Sequence, residues 1–253
     1  MKLGKEFIGI IPARYASTRF PGKPLAMLGG KSVIERVYTR AAEVLESVAV
    51  ATDDVRIAEA VRAFGGTAVM TSESHRSGTD RCREAYDNLA SEARVVINIQ
   101  GDEPFIDPGQ IHALAACFDD GGTDIATLAR KFDKSAGFEA LFDPNLVKVT
   151  FADNGRALYF SRSIIPYVRG VKYTGWLDSA VFHTHVGIYA YRADVLHEIA
   201  CLPQSSLELA ESLEQLRWLQ NGYSIKVAVT DCPTIGIDTP DDLAAAERYL
   251  NTL

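Results

Sequence analysis

Hydrophobic positions arrive in short bursts, and the period of the bursts changes along the chain. Residues 7–12, Phe-Ile-Gly-Ile-Ile-Pro, form a nearly continuous apolar run that suits a buried strand. From Ser32 to Leu45 the spacing turns helical, with Ile34, Val37, Tyr38, Ala41, Val44 and Leu45 on one face. The alternation then repeats. Strands are predicted over 48–52, 67–70 and 94–99, and helices over 54–64 and 79–91. Gly65-Gly66 ends the helix at 64. Val95, Val96, Ile97 and Ile99 leave almost no polar gap, as in a parallel strand covered on both faces. Asp107-Pro108 opens the next helix, Asp as N-cap and Pro in the first turn. Repeated strand–helix units with right-handed crossovers predict an α/β fold. It is a doubly wound, mostly parallel sheet with helices on both faces.

The second half is less regular. Segments 147–152 and 156–160 flank Asp153-Asn154-Gly155, a hairpin turn. Residues 162–183 are long and mixed, and read as a smaller excursion from the sheet. Strands over 186–191 and 225–229 follow, with a helix over 206–220 whose core stripe is Leu209, Leu213 and Leu216. Thr239-Pro240-Asp241-Asp242 caps a last helix running to about 250. No linker divides the sequence, so a single domain over 1–253 is expected.

Composition narrows the function. With 47% hydrophobic residues in 253, the chain can bury a sizeable core. A net charge of −7 argues against general nucleic-acid binding. Cys82, Cys117, Cys201 and Cys232 are far apart and form no C-x-x-C pair, so neither a zinc site nor a disulfide framework is expected. No stretch is apolar enough to insert in a membrane, and the start shows no signal-peptide pattern; a cytoplasmic protein with reduced thiols is expected.

Against that acidic background, the run from Pro12 to Leu25 reverses sign. Between Phe7 and Ile34 stand Arg14, Arg19, Lys23 and Lys31 and no Asp or Glu. A cationic, Gly- and Pro-punctuated loop at a strand end suits a polyphosphate, whose oxygens need fixed cations and backbone N–H groups. A merely solvated basic loop is the competing reading. Three more polar segments follow predicted strands: Thr52-Asp53-Asp54, His75 to Arg81, and Gln100-Gly101-Asp102-Glu103-Pro104. Ligands of open α/β sheets bind beyond the carboxyl ends of the strands, so the convergence points to a nucleotide enzyme. Neither G-x-G-x-x-G nor G-x-x-x-x-G-K-[ST] occurs, which removes the main support for dinucleotide and P-loop folds.

Gly101 lets the backbone approach a ligand closely, and Asp102 then offers a hard oxygen to Mg²⁺ held against phosphates. The alternative, that Asp102 or Glu103 caps the following helix, is weakened because Asp107 fills that role. Asp238 either completes the metal site or serves a turn before the Thr239 cap. Arg162, at a strand end, can take a carboxylate bidentately or make a surface salt bridge. His183 and His185 share a strand face, but no third soft ligand joins them; Tyr189 lies on the same face as His185. Glu214 and Gln215 flank the leucine stripe.

These motifs together resemble the 3-deoxy-manno-octulosonate (Kdo) cytidylyltransferases, or CMP-Kdo synthetases. The likeness covers nearly the whole chain. It includes the run from Pro12 to Leu25, A-T-D-D, H-R-S-G-T-D-R, Q-G-D-E-P, N-L-V-K-V, A-L-Y-F-S-R-S-I-I-P, H-V-G-I-Y-A-Y-R, L-E-Q-L-R and G-I-D-T-P-D-D-L. The related CMP-sialic acid synthetases share the layout but lack the R-F-P-G-K-P-L run. The resemblance implies a nucleotide-diphospho-sugar transferase-like fold. It also implies Mg²⁺-dependent transfer of CMP from CTP to the anomeric hydroxyl of Kdo, releasing pyrophosphate, for lipopolysaccharide biosynthesis. By position it implies that Arg14, Arg19 and Lys23 hold phosphates, with Arg14, Lys23 and Asp102 as catalytic residues. Ala13, Thr52, Ser77, Gly78 and Thr79 line the nucleoside site, and Asp102 and Asp238 ligate the metal. Gln100, Arg162, His185, Tyr189, Glu214 and Gln215 contact the sugar acid. A homodimer is implied, with the excursion after Arg162 contributing. Two alternatives stand beside this: the same reaction on a related sugar acid, such as 8-amino-Kdo or sialic acid, and a non-catalytic nucleotide- or sugar-binding module. Lys23, Asp102 and Asp238 argue against the second.

Overall fold

The computed structural model describes residues 2–252, through which a nine-stranded sheet runs. β1 (Leu3–Ala13) leads through a 3-10 turn at Lys23–Leu25 into the small pair β2 (Met27–Leu28) and β3 (Lys31–Ser32). Then come α1 (Val33–Val44), β4 (Leu45–Thr52), α2 (Val55–Ala63), β5 (Ala68–Met70), α3 (Gly78–Asn88), β6 (Val95–Asn98) and α4 (Pro108–Ala116). The second half supplies β7 (Ile125–Lys131), the hairpin β8 (Lys148–Phe151) and β9 (Ala157–Ser161), α5 (Trp176–Ser179) and β10 (His183–Arg192). It ends with α6 (Ala193–Ala200), α7 (Ser206–Glu211), α8 (Gln215–Gln220), β11 (Ile225–Val229) and α9 (Pro240–Leu250).

The strand order is β11-β7-β10-β6-β1-β4-β5, with β8 and β9 attached beside β10. Along this path β10 alone runs against its neighbours, and the other pairs are parallel. The mostly parallel, doubly wound architecture expected from the sequence is the one observed.

Period-two alternation in β1 explains the two layers. Phe7, Ile11 and Ala13 face one core with residues of α1, α2 and α4, while Ile8 and Ile10 face the other with α3, α6 and α8. Ile10 and Ile11 are fully buried, each contributing roughly 1.5–3 kcal/mol. Gly9 stands between Ile8 and Ile10 because a Cβ there would lie 2.7 Å from Leu45 Cδ1. The helix starts follow the sequence signals. Ser32 caps α1, Asp107 with Gln110 makes a capping box on α4, and Thr239 with Asp242 makes one on α9.

Three features depart from the hydrophobic pattern. β7 and α6 are elements that the pattern does not announce. The single helix expected over 206–220 is two, α7 and α8, broken where Ser212 takes a left-handed conformation (φ 51°). Leu213 and Leu216 are buried as expected, but Leu209 lies on α7 and is 62% exposed, so it is not part of the core stripe. The segment between β9 and β10 is an excursion, whose Trp176 and Phe182 share a buried cluster with Phe132 and Leu141 from the stretch after β7.

Parallel strands deliver their carboxyl ends to one edge, so the loops after β1, β4, β5 and β6 gather there. β10 runs the other way and brings its first residues, from His183 on, to that same edge.

Candidate active site

The loop after β1 and the turn after β6 enclose a cleft of about 190 Å³, lined by Ala13, Arg14, Lys23, Gln100, Gly101 and Asp102 among others. Its cationic side is anchored by Gly22, whose positive φ of 73° starts the 3-10 turn that raises Lys23. The ammonium of Lys23 lies 2.7 Å from Asp102 Oδ2 and 3.2 Å from Asp238 Oδ1. Arg19, exposed, reaches the other oxygen of Asp238 at 3.0 Å. Asp238 comes from the far end of the chain because the N–H of Ile237 donates to the carbonyl of Asp102 at 2.9 Å. Two carboxylates thus share one cation, and their hard oxygens are the donor type that a divalent ion on a triphosphate needs. Among the described residues no group of three or more His, Cys, Asp or Glu could hold a metal, so phosphate oxygens would have to complete the shell.

Gly101 has a reason beside the one expected: a Cβ there would lie 2.8 Å from the carbonyl of Pro12, so the glycine also admits β1. Next to Asp102, burial and the neighbouring carboxylate push the Glu103 carboxyl up to about 7.

The nucleoside side is built on the start of α3. Ser77 caps it, accepting from the N–H of Asp80 at 3.1 Å, and the free N–H groups of the first turn suit an anion. Arg14 crosses to this side and donates to the carbonyl of His75 at 2.6 Å. Two expected lining residues point elsewhere. Thr52 is fully buried, and its hydroxyl accepts from the N–H of Asp54 at 3.2 Å, so it braces the turn instead of facing the cleft. Thr79 is also buried and donates to Glu214 Oε2 at 2.9 Å, joining α3 to α8. Beneath them Arg81, fully buried, bonds Asp53 and Thr71 at 2.6 Å each and ties the ends of β4 and β5 to α3.

On the other flank lie most of the expected sugar contacts. Gln100 donates to the carbonyl of Gly187 at 2.9 Å. Burial holds the His185 imidazole down to about 3 and so neutral, pushes the Tyr189 hydroxyl well above its usual range, and raises the Glu214 carboxyl. Tyr189 Oη and Gln215 Nε2 are buried with no protein partner, as is Asn98 Oδ1 on β6, opposite Tyr189 in register. Unpartnered buried polar atoms are costly, and these three are of the kind that a polyhydroxylated ligand would satisfy. Asn98 gives no signal in the sequence because it stands within an apolar run. Arg162 does not match its expected role. Its guanidinium donates to the main-chain carbonyls of Glu211 (2.6 Å), Pro144 (2.8 Å) and Ser212 (3.2 Å), and its N–H meets Glu211. Those bonds spend three of its five donors on holding the end of α7. His183 and His185 have no metal-ligating partner among the described residues.

Residues 8–226 match the family model described as cytidylyltransferase. The chain is 62% identical to the 3-deoxy-manno-octulosonate cytidylyltransferase of Parabacteroides distasonis, covering 97% of this chain and 98% of that one. Among solved structures it resembles a CMP:2-keto-3-deoxy-manno-octonic acid synthetase complexed with CTP, at TM-score 0.89 and 43% identity over 97% and 98% of the two chains. A 4-diphosphocytidyl-2C-methyl-D-erythritol synthase from Anaerococcus prevotii shares the fold alone, at TM-score 0.62 and 15% identity over 98% of this chain and 100% of that one.

Proposed function

This chain belongs to the cytidylyltransferase family as a 3-deoxy-manno-octulosonate cytidylyltransferase, and from that premise we propose how its cleft works. The reaction is transfer of CMP from CTP to Kdo. The anomeric hydroxyl attacks the α-phosphorus and pyrophosphate leaves, so catalysis is a matter of positioning and of neutralising charge. In our reading Arg14, Arg19 and Lys23 take the phosphate oxygens, and the start of α3 at Ser77 and Gly78 receives the nucleotide. Lys23 gives up its carboxylates to do so and carries its charge to the leaving pyrophosphate. Gln100, His185, Tyr189, Glu214 and Gln215 offer the sugar acid both donors and acceptors, and Asn98 joins them. Asp102 and Asp238 fit a divalent ion, Mg²⁺ in this proposal, which when bound supplies further charge neutralisation on the triphosphate.

The convergence of Lys23, Asp102 and Asp238 carries the proposal, because binding alone does not require paired carboxylates beside a phosphate loop. Asp102→Asn tests it. Pyrophosphate release should fall by roughly 100-fold or more while the thermal midpoint stays near that of the wild type. A near-normal rate at ordinary Mg²⁺ would remove Asp102 from the mechanism. The proposal extends to a cytoplasmic homodimer. The exposed aromatics Tyr167 and Tyr173 of the excursion, with Phe142 beside them, support a contact with a second copy there. No helix among the described residues is long and apolar enough to cross a membrane.

A further inference from the structure

β10 does not pair evenly with β7. Register slips between Val186 and Tyr189, which leaves Gly187 and Ile188 as a bulge at the edge of the site. Side chains from the turn after β6 and from β7 serve its carbonyls. Gln100 Nε2 donates to the carbonyl of Gly187 at 2.9 Å. Thr127, fully buried on β7, places Oγ1 2.8 Å from the carbonyl of Ile188 and 3.3 Å from that of Val186. The same hydroxyl lies 2.9 Å from His185 Nε2.

Counting protons fixes the direction of these bonds. A hydroxyl has one proton, and a carbonyl oxygen only accepts. If Thr127 gave its proton to His185, its lone pairs would face two carbonyl oxygens, one at 2.8 Å. The proton therefore goes to Ile188, and His185 donates from Nε2. The buried ring is neutral, so its Nδ1 carries a lone pair. Gln100 is oriented likewise: one of its two amide N–H groups is spent on Gly187, which leaves its Oε1 as an acceptor beside the second N–H.

We propose that Thr127 is a positioning residue that locks His185 in the Nε2–H tautomer, so that Nδ1 accepts a hydrogen bond from a hydroxyl of the sugar acid. This rests on the reading of His185 as a sugar contact. The site beside the bulge then presents an acceptor at His185 Nδ1, with Gln100 Oε1 next to it, and favours ligands with a hydroxyl donor at the matching position.

Long-range ¹H–¹⁵N NMR of the imidazoles in the ligand-free enzyme reports the tautomer with no substrate present. Wild type and Thr127→Ser should show His185 protonated at Nε2. Thr127→Val should lose that preference, and its KM for the sugar acid should rise roughly tenfold with KM for CTP unchanged. Thr127→Ser should restore both. A wild-type spectrum with His185 protonated at Nδ1 overturns the proposal without any variant. So does Thr127→Val with an unaltered tautomer. If the tautomer shifts in Thr127→Val but His185→Ala leaves the sugar KM unchanged, the sugar contact itself is wrong and the tautomer lock stands without function.

Discussion

Replacing Lys23 with Met should move two measurements in opposite directions. Its side chain is 13% exposed, and the ammonium lies 2.7 Å from Asp102 and 3.2 Å from Asp238. At an effective dielectric near 20, one such contact is worth roughly 5 kcal/mol before desolvation. Asp238 is 48% exposed and solvent already screens it, so the net loss on removing the ammonium is about 1–3 kcal/mol. The two carboxylates would then face each other with Arg19, on the exposed side of Asp238, as their remaining cation. Without ligand the variant should melt earlier, and added Mg²⁺ should recover more stability than in the wild type, because no ammonium competes for the same oxygens. Turnover goes the other way. A charge-assisted bond from an ammonium to phosphate contributes about 1.5–3 kcal/mol, so kcat/KM for CTP should fall by roughly 10- to 150-fold with the sugar KM little changed. Thermal melts across a Mg²⁺ titration and pyrophosphate release across a CTP titration make the pair of assays. Equal stabilisation of both proteins by Mg²⁺, together with normal use of CTP, would refute the shared-cation reasoning.

Arg162→Ala should lose about 2 kcal/mol of stability in urea along with sugar use, and Arg162→Lys should not recover it, because an ammonium lacks the fork that spans three carbonyls. A fully stable Arg162→Ala with a selective sugar defect would instead make Arg162 a direct contact. His185 adds an acid sensitivity. Its folded pKa near 3 lies below the ordinary 6.5, so the unfolded chain binds more protons between those values, and stability is lost as pH falls through that window. His185→Gln should therefore lose roughly 2–3 kcal/mol less than wild type between pH 7 and pH 4.5. Parallel acid sensitivity in the two proteins would show the imidazole to be solvated and chargeable.

The elements that the sequence makes legible are those whose burial is complete or whose ends are marked. β1, β4 and β6 are apolar on both faces, and α4 and α9 carry capping boxes written in consecutive residues. β7 is hidden because Ala126, Thr127 and Ala129 lower its apolar contrast although all three are buried. α6 follows β10 directly, with Arg192 at its N-cap and no side chain accepting there, so no polar signal marks its start. The break at Ser212 lacks the glycine that usually occupies a left-handed position, and the leucine spacing runs across it. In the site, the phosphate loop and Asp102 were legible because each follows a strand. Thr127 is not legible, because its partner His185 stands 58 residues away and the pattern does not mark β7.

What holds Lys23 near Asp238 is not the ion pair between them. Leu28, Val33, Ile237 and Ala246 form a separate buried cluster, against which Phe20, Ala26, Leu243 and Leu250 pack. Phe20 and Ala26 flank Lys23 in sequence, Ile237 adjoins Asp238, and Leu243 and Leu250 belong to α9. The loop that carries the cation and the turn that carries the carboxylate are therefore fastened by the same apolar contacts, in a place where no charge is needed. The main-chain bond from Ile237 to Asp102 fixes the second carboxylate to the same frame. Apolar packing does not weaken when an ammonium changes partners. Lys23 and Arg19 can leave the carboxylates for phosphate oxygens without loosening the loop, and Asp102 and Asp238 stay in place with their oxygens free. A site held together by its own ion pairs would have to give up its architecture in order to bind substrate; here the architecture and the exchangeable charges rest on different contacts.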